Sequence, residues 1–229
     1  MPNFDHVYPA NYYMAERPKL VSQNGRSYYS IDGNRVHRIT EVLSSYKSEG
    51  LTAWRERVGN EVADLKCQVG IKRGTDVHAL IEAYLNNSLE PTGWQSKLSA
   101  NRVFEYAKPS LDRISMIHGT ELPVYSRSLN IAGTLDCCAE FDGVMSIIDF
   151  KTSERPKRME WCEKYFLQET FYSLCWEEMT ESPVEQLVTL VICETGDVQV
   201  IKQDRDTWVL RLEDLVREFH HKKSIGVRK

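Results

Sequence analysis

Two aspartates and a lysine carry the strongest chemical signal in the sequence. They lie in Gly133-Thr134-Leu135-Asp136 and in Asp149-Phe150-Lys151-Thr152-Ser153, on either side of an Asp142-Gly143 pair. Asp-Gly between apolar runs marks a two-residue hairpin turn. That turn sets Phe141 against Val144, and the same register sets Asp136 against Asp149. Directly opposed residues hold their Cβ atoms about 4.5–5.5 Å apart, where like charges repel. Alternation puts Lys151 on the face of Asp149, two residues on. Lys151 offsets one of the two charges; a divalent cation bridging both carboxylates would offset both. The competing reading is a solvent-facing hairpin with scattered charges, and a shifted turn would separate the pair. The reverse face, with Leu135, Cys137, Ala139, Phe141, Val144, Ile148 and Phe150, is expected to be the core face.

Two helical pairs add to this. In Arg73-Gly74-Thr75-x-x-His78-x-x-x-Glu82, His78 and Glu82 stand one turn apart beside an apolar stripe. Gln168 and Tyr172 are also one turn apart, among Trp161, Phe166, Phe171 and Trp176. Taken singly, each reads as a surface or packing pair.

The elements that must position these residues follow from pattern. Asn24-Gly25 and Asp32-Gly33 punctuate short strands over 19–39. Thr40 is expected to cap a short helix through Tyr46, and residues 51–70 read as helix broken near Gly59. Thr75 is expected to cap a helix over 76–87, whose Val77, Leu80, Ile81 and Tyr84 form a core-facing stripe. A helix over 95–107 ends at Pro109. Strands near 120–127, 131–141 and 144–151 precede a long helix over 157–179. Strands near 185–193 and 198–203 and a helix near 205–222 close the chain. The order predicts an α+β (mixed α/β) domain around a largely antiparallel sheet flanked by helices.

The 229 residues hold 29 Lys and Arg against 33 Asp and Glu, with 41% hydrophobic content. That is enough apolar residue for a packed core and excludes a disordered chain. No apolar run approaches the ~20 residues of a membrane span, and no signal-peptide pattern opens the chain. A cytoplasmic, non-secreted protein without a membrane partner is therefore expected. The six cysteines form no Cys-x-x-Cys pair, which leaves a structural zinc or iron–sulfur site without support and suggests reduced, buried thiols. Cys137 and Cys138 would point to opposite faces of a strand. The net charge of -4 argues against broad coating of nucleic acid. The acid is local: residues 121–180 hold 11 Asp and Glu against 6 Lys and Arg, whereas residues 1–60 hold 6 against 8.

In order and spacing, His78, Asp136, the Asp149-Phe150-Lys151-Thr152 run and Gln168-x-x-x-Tyr172 resemble the RecB-type branch of the PD-(D/E)XK nuclease superfamily. Residues 38–180 resemble a narrower group, the mitochondrial genome maintenance exonucleases and their bacteriophage relatives. The residues are Ile39-Thr40-Glu41-Val42-Leu43, Trp54-Arg55-x-Arg57, Gly59, Gly74-x-x-x-His78, Glu82 and Leu85. Leu135 stands where the motif's leading proline would be, as is common in this branch.

The resemblance implies a single restriction-endonuclease-like domain over 1–229. Residues 1–70 would be an N-terminal helical elaboration, 71–203 the catalytic core and 204–229 a C-terminal helix. It implies a Mg²⁺ or Mn²⁺ site made by His78, Asp136, Asp149 and the Phe150 carbonyl, with Lys151 acting on the attacking water. It also implies that Gln168 and Tyr172 buttress the site, with Thr152, Ser153 and Arg73 toward the nucleic acid. Glu121 is expected outside the ligand set, as a supporting carboxylate. The partner would be DNA, single-stranded or with a free end, in a bacterial or phage-infected cell. The activity implied is a DNA exonuclease; a structure-specific or restriction-like endonuclease and a non-catalytic DNA-binding recombination partner are the alternatives. Arg35, Arg38, Arg55, Arg57, Lys72 and Arg73 are candidate strand contacts. Tyr8, Tyr12, Tyr13, Tyr28, Tyr29 and Trp54 are candidates for base stacking, with packing the expected role for most.

Overall fold

The structure is a computed structural model that describes residues 3–23, 25–46, 49–88 and 98–225. A short helix, α1 (Ala10–Met14), leads into a meander of β1 (Lys19–Gln23), β2 (Arg26–Ile31) and β3 (Asn34–Arg38). Helices α2 (Ile39–Ser45), α3 (Glu49–Val58), α4 (Asn60–Leu85) and α5 (Leu98–Leu111) follow. Then come β4 (Ile114–Ser126), β5 (Ile131–Phe141) and β6 (Val144–Ser153), a single 3₁₀ turn at Met159–Trp161, and α6 (Glu163–Thr180). The described chain closes with β7 (Gln186–Cys193), β8 (Val198–Asp204) and α7 (Asp206–Ser224).

All eight of these strands join one sheet, in the order β1-β2-β3-β5-β6-β7-β8 with β4 paired to β5. Most pairings are antiparallel; β3–β5 and β6–β7 are parallel. Strand β5 is the pivot. Along one edge it pairs with β4 from end to end. Along the other it pairs with β6 over 137–141 and with β3 over 131–132. Residues 133–136 have no strand partner on that edge among the described residues. Asp142 (φ 54°) and Gly143 (φ 76°) form the expected left-handed turn, and Phe141 meets Val144. The ladder runs in that register to Cys137–Ile148 and stops one pair short of Asp136 and Asp149.

The core has two sides. Helices α4 and α5 cover one cluster, with Val77, Leu80, Ile81, Phe104 and Leu111 against Cys137, Ala139, Phe141 and Ile148. Helices α2, α6 and α7 cover the other, with Ile39, Phe171, Trp176 and Leu212 against Ile131, Leu135, Cys138 and Ile147. Both faces of the hairpin are therefore buried, which corrects the expectation of one core face. The alternation also inverts, since Leu135 and Cys137 belong to different clusters. Asp136 sits at that inversion. Cys137 and Cys138 do face opposite sides, and all six cysteines are free.

Several boundaries move. Arg38, not Thr40, precedes α2, and no side chain caps it. Helix α4 runs unbroken from Asn60, so Thr75 is interior and its hydroxyl donates back to the Ile71 carbonyl at 3.1 Å. Gly70 and Gly74 lie inside this helix. The break falls at Gly59, whose φ of 83° suits glycine. The expected boundary between elaboration and core at residue 70 thus lies inside a continuous helix. Pro109 is contained in the last turn of α5; of the expected span, residues 95–97 lie outside the described residues, as does Asn24. Helix α6 starts at Glu163, not near 157. No helix among the described residues is long and apolar enough to cross a membrane.

Gly133 shows how tightly α6 meets the pivot strand. A Cβ there would fall 2.7 Å from Tyr172 Cε1 and 3.1 Å from Ile39 Cγ2. Both neighbours are buried, so a methyl group forces a shift. Gly133→Ala is expected to lower unfolding free energy by about 1–3 kcal/mol, measured by denaturant titration. An unchanged midpoint would show that the contact yields freely.

Candidate metal centre and active site

The gap in the β5 edge is where the chemical residues converge. Asp136 Oδ2 accepts the Phe150 N–H at 2.9 Å, taking the place of a strand partner. The Phe150 carbonyl in turn accepts from His78 Nε2 at 2.7 Å. A carbonyl can only accept, so Nε2 carries the proton and the other ring nitrogen is turned outward. His78 Nδ1 lies 3.7 Å from Asp136 Oδ2 and 3.9 Å from Glu121 Oε1. One ligand atom from each of His78, Glu121 and Asp136 falls within 4.8 Å of the others. His78, Glu82 and Glu121 line a cleft of about 440 Å³.

Asp149 stands apart from that trio. It is fully buried, and Lys151 Nζ is ion-paired with its Oδ2. Its Oδ1 has no hydrogen-bond partner among the described residues. Asp149 is a member of β6, directly beside Thr189 of β7. Burial raises its carboxyl above the ordinary range, with Lys151 opposing and Asp136 adding. Lys151 is raised too: burial works against its charge, but Asp149 and Asp136 outweigh burial.

Residues 9–224 match the sequence profile of the PD-(D/E)XK nuclease superfamily. The chain belongs to that superfamily. It is 31% identical over 150 residues to the human mitochondrial genome maintenance exonuclease 1, covering 60% of this chain. The mouse protein of the same name is 29% identical over 133 residues, covering 54% of the chain. The aligned stretches span only 40% and 39% of those relatives. A crystal structure from Eubacterium rectale, provisionally described as an exonuclease, matches 69% of each chain at 14% identity and a TM-score of 0.45.

PD-(D/E)XK nucleases use divalent metal ions, and this donor set fits one. It offers an imidazole nitrogen and carboxylate oxygens at close range, and Asp149, whose charge acts on His78, keeps a buried oxygen without a hydrogen-bond partner among the described residues. Hard oxygen donors suit Mg²⁺, and an imidazole makes Mn²⁺ competitive. The expected residues therefore assemble in part. His78 and Asp136 meet; Asp149 is close but committed to Lys151; one lone pair of the Phe150 oxygen is taken by His78. Glu121 was expected only in support, yet it lies in the trio. It sits opposite Asp136 in the β4–β5 register, with φ at 50°. That left-handed backbone is uncommon for a non-glycine residue and concentrates at functional sites. No local sequence signal marks it, because its place opposite Asp136 arises from sheet pairing.

The outer residues are placed as follows. Gln168 Nε2 donates to the Tyr172 hydroxyl at 2.9 Å, and Tyr172 lies against Gly133. Thr152 and Ser153 end β6 next to α4, where a Cβ on Gly74 would lie 3.5 Å from Thr152 Oγ1. Arg73 is ion-paired with Glu194 and mostly buried. Arg55 pairs with Asp64 at 2.6 Å, and Arg35 lies over Tyr28. Tyr12 and Tyr29 are core residues, whereas Tyr8 is 75% exposed.

The imidazole of His78 responds to this setting. Burial works against its charge, but Glu121 and the Asp136 carboxylate outweigh burial and lift it to about 9. Without metal it is charged at neutral pH, so a cation must displace a proton to bind. Mn²⁺ affinity is expected to rise about tenfold per pH unit from roughly pH 7 up to about 9. Calorimetric titration checks this, and His78→Gln should flatten the slope. A pH-independent affinity in the wild type would count against His78 as a ligand.

Proposed function

We propose that the protein is a divalent-metal-dependent DNA exonuclease of the RecB-type branch, acting on single strands or free ends in the DNA metabolism of a bacterial or phage-infected cell. The observation that carries this is the convergence of His78, Glu121 and Asp136 next to the buried Asp149–Lys151 pair. The relatives named as exonucleases support the choice of DNA ends over internal sites. His78, Glu121, Asp136, Asp149 and the free lone pair of the Phe150 carbonyl would hold Mg²⁺ or Mn²⁺. The ion supplies charge stabilisation at the scissile phosphate and a more acidic water.

The chain's own groups do the rest. Lys151 orients the attacking water and offsets phosphate charge. Asp136 holds the Phe150 amide, which keeps β6 in place as β5 parts from it. The Phe150 carbonyl fixes the tautomer and rotation of His78, the usual task of a ligand's outer partner. Gln168 donates to Tyr172, which packs on Gly133 and so fastens α6 to β5. Thr152 and Ser153 would face the strand's phosphates, and Arg73, mostly buried and paired with Glu194, would meet them only through the part of its guanidinium left exposed. The chain acts as one catalytic unit. Residues 1–70 elaborate the 71–203 core, with α4 crossing between them, and the closing segment 204–229 carries α7.

End-labelled single-stranded, duplex and closed circular DNA with Mg²⁺ or Mn²⁺ test the reading. Linear single strands should be shortened from an end and circles left intact. Lys151→Ala should cut the rate at least about 100-fold while melting cooperatively. Mn²⁺ should raise the melting temperature of the wild type but not of Asp136→Asn, since a ligand stabilises only the state that binds it. Retained cleavage in Lys151→Ala, or none on any substrate, overturns the proposal; cut circles point to an endonuclease.

A further inference from the structure

Glu169 is a carboxylate with no exposed surface, on the face of α6 that backs the Asp149–Lys151 pair. The Thr189 hydroxyl donates to its Oε1, and its Oε2 has no hydrogen-bond partner. Thr189 is the lateral neighbour of Asp149 in the parallel β6–β7 register. Laterally paired residues point to the same side of a sheet, so Glu169 sits beneath Asp149. Lys151 emerges on that side two residues later. Its ammonium lies 5.3 Å from the ring centroid of Tyr165, one turn before Glu169 on α6. Burial raises the Glu169 carboxyl above the ordinary range, with Asp149 adding and Thr189 and Lys151 opposing, so both members of the pair act on it.

A half-satisfied buried carboxylate is expensive, and an apolar side chain would serve packing better. Lys151 explains its presence. In this structure the ammonium is paired with Asp149. An ion held by Asp149 would draw that carboxylate away from Lys151, leaving the ammonium without its buried counter-charge. We infer that Glu169 is a positioning residue, whose free Oε2 serves as the second carboxylate of Lys151 once Asp149 is committed to a metal. Thr189 orients it by holding the other oxygen. This rests on the reading of Asp149 and Lys151 as site residues, and it adds a third buried carboxylate to their machinery.

Asp149→Asn imitates commitment of Asp149 without any metal. Acylation of Lys151 by an amine-reactive ester, followed by peptide mass spectrometry, reports how firmly the ammonium is held. In Asp149→Asn the rate should stay within about twofold of wild type. In Asp149→Asn/Glu169→Gln it should rise about tenfold, the change that one pKa unit produces. Equal rates in these two variants overturn the inference. If the double variant fails to melt cooperatively, Asp149→Asn/Thr189→Val is used instead, with a smaller rise expected and no rise again overturning it. In the otherwise native enzyme, Glu169→Gln should lower kcat about tenfold, leave KM unchanged and keep the Mn²⁺-induced rise in melting temperature. Wild-type kcat in Glu169→Gln also counts against it. If the wild type neither cleaves DNA nor is stabilised by Mn²⁺, the proposed function fails, and the acylation rates alone decide the role of Glu169.

Discussion

The site depends on one substitution in a β-ladder: the Asp136 carboxylate accepts the Phe150 N–H at the point where β5 and β6 separate. A buried amide left without an acceptor would cost about 1–3 kcal/mol. A side chain supplies the acceptor, so the strands can part without that penalty. The opening leaves residues 133–136 without a strand partner on that edge among the described residues, and β3 takes up the strand at 131–132. Into it fit His78 from α4, Glu121 from β4 and the Asp149–Lys151 pair from β6. The carboxylate that maintains the gap also offers an oxygen to it.

The surrounding helices make the opening rigid. Helix α4 reaches past the end of β6 and delivers His78 to the Phe150 carbonyl at 2.7 Å. Arg73 to Glu194 and Lys66 to Glu154 tie the same helix to the ends of β6 and β7. On the opposite side α6 closes against Gly133, where the absence of a Cβ lets Tyr172 reach the strand. The site is thus held between two packed clusters, one under each set of helices. Acidic groups gathered there repel one another, and burial sharpens that repulsion by removing water. Lys151 answers part of it; the rest is what makes the centre fit a divalent cation. Of the acid in residues 121–180, Glu121, Asp136, Asp149 and Glu169 gather about this centre, whereas Asp142 and Glu163 pair elsewhere with Arg113 and Arg211.

Much of this was legible in the residues. The Asp142-Gly143 turn fixed the hairpin register, because a two-residue loop of that type permits one pairing. The strands over 131–141 and 144–151, the apolar stripe of α4 and the helix with Gln168 and Tyr172 followed from periodicity. Other elements were hidden because distant packing overrode local signals. Thr75 and Gly74 look like a helix start, but the helix continues through them, since its N-terminal extension is anchored by ion pairs across the chain. Glu121 looked peripheral because its left-handed backbone and its place opposite Asp136 exist only when β4 pairs with β5. Glu169 gave no signal at all; its meaning comes from Thr189, twenty residues away and on another element.

The sequence by itself determined the chemical inventory and the register of one hairpin, since turn chemistry and side-chain alternation act over a few residues. It set Asp136 and Asp149 at opposed positions and Lys151 beside them. Only the tertiary structure decided that the ladder ends one pair earlier, that Asp149 turns to Lys151, and that His78 and Glu121 complete the cluster around Asp136. The physical reason is that charge placed in a sheet is settled by what else is buried with it. Which acceptor, ammonium or imidazole comes within reach is fixed by the packing of strands and helices far apart in the chain.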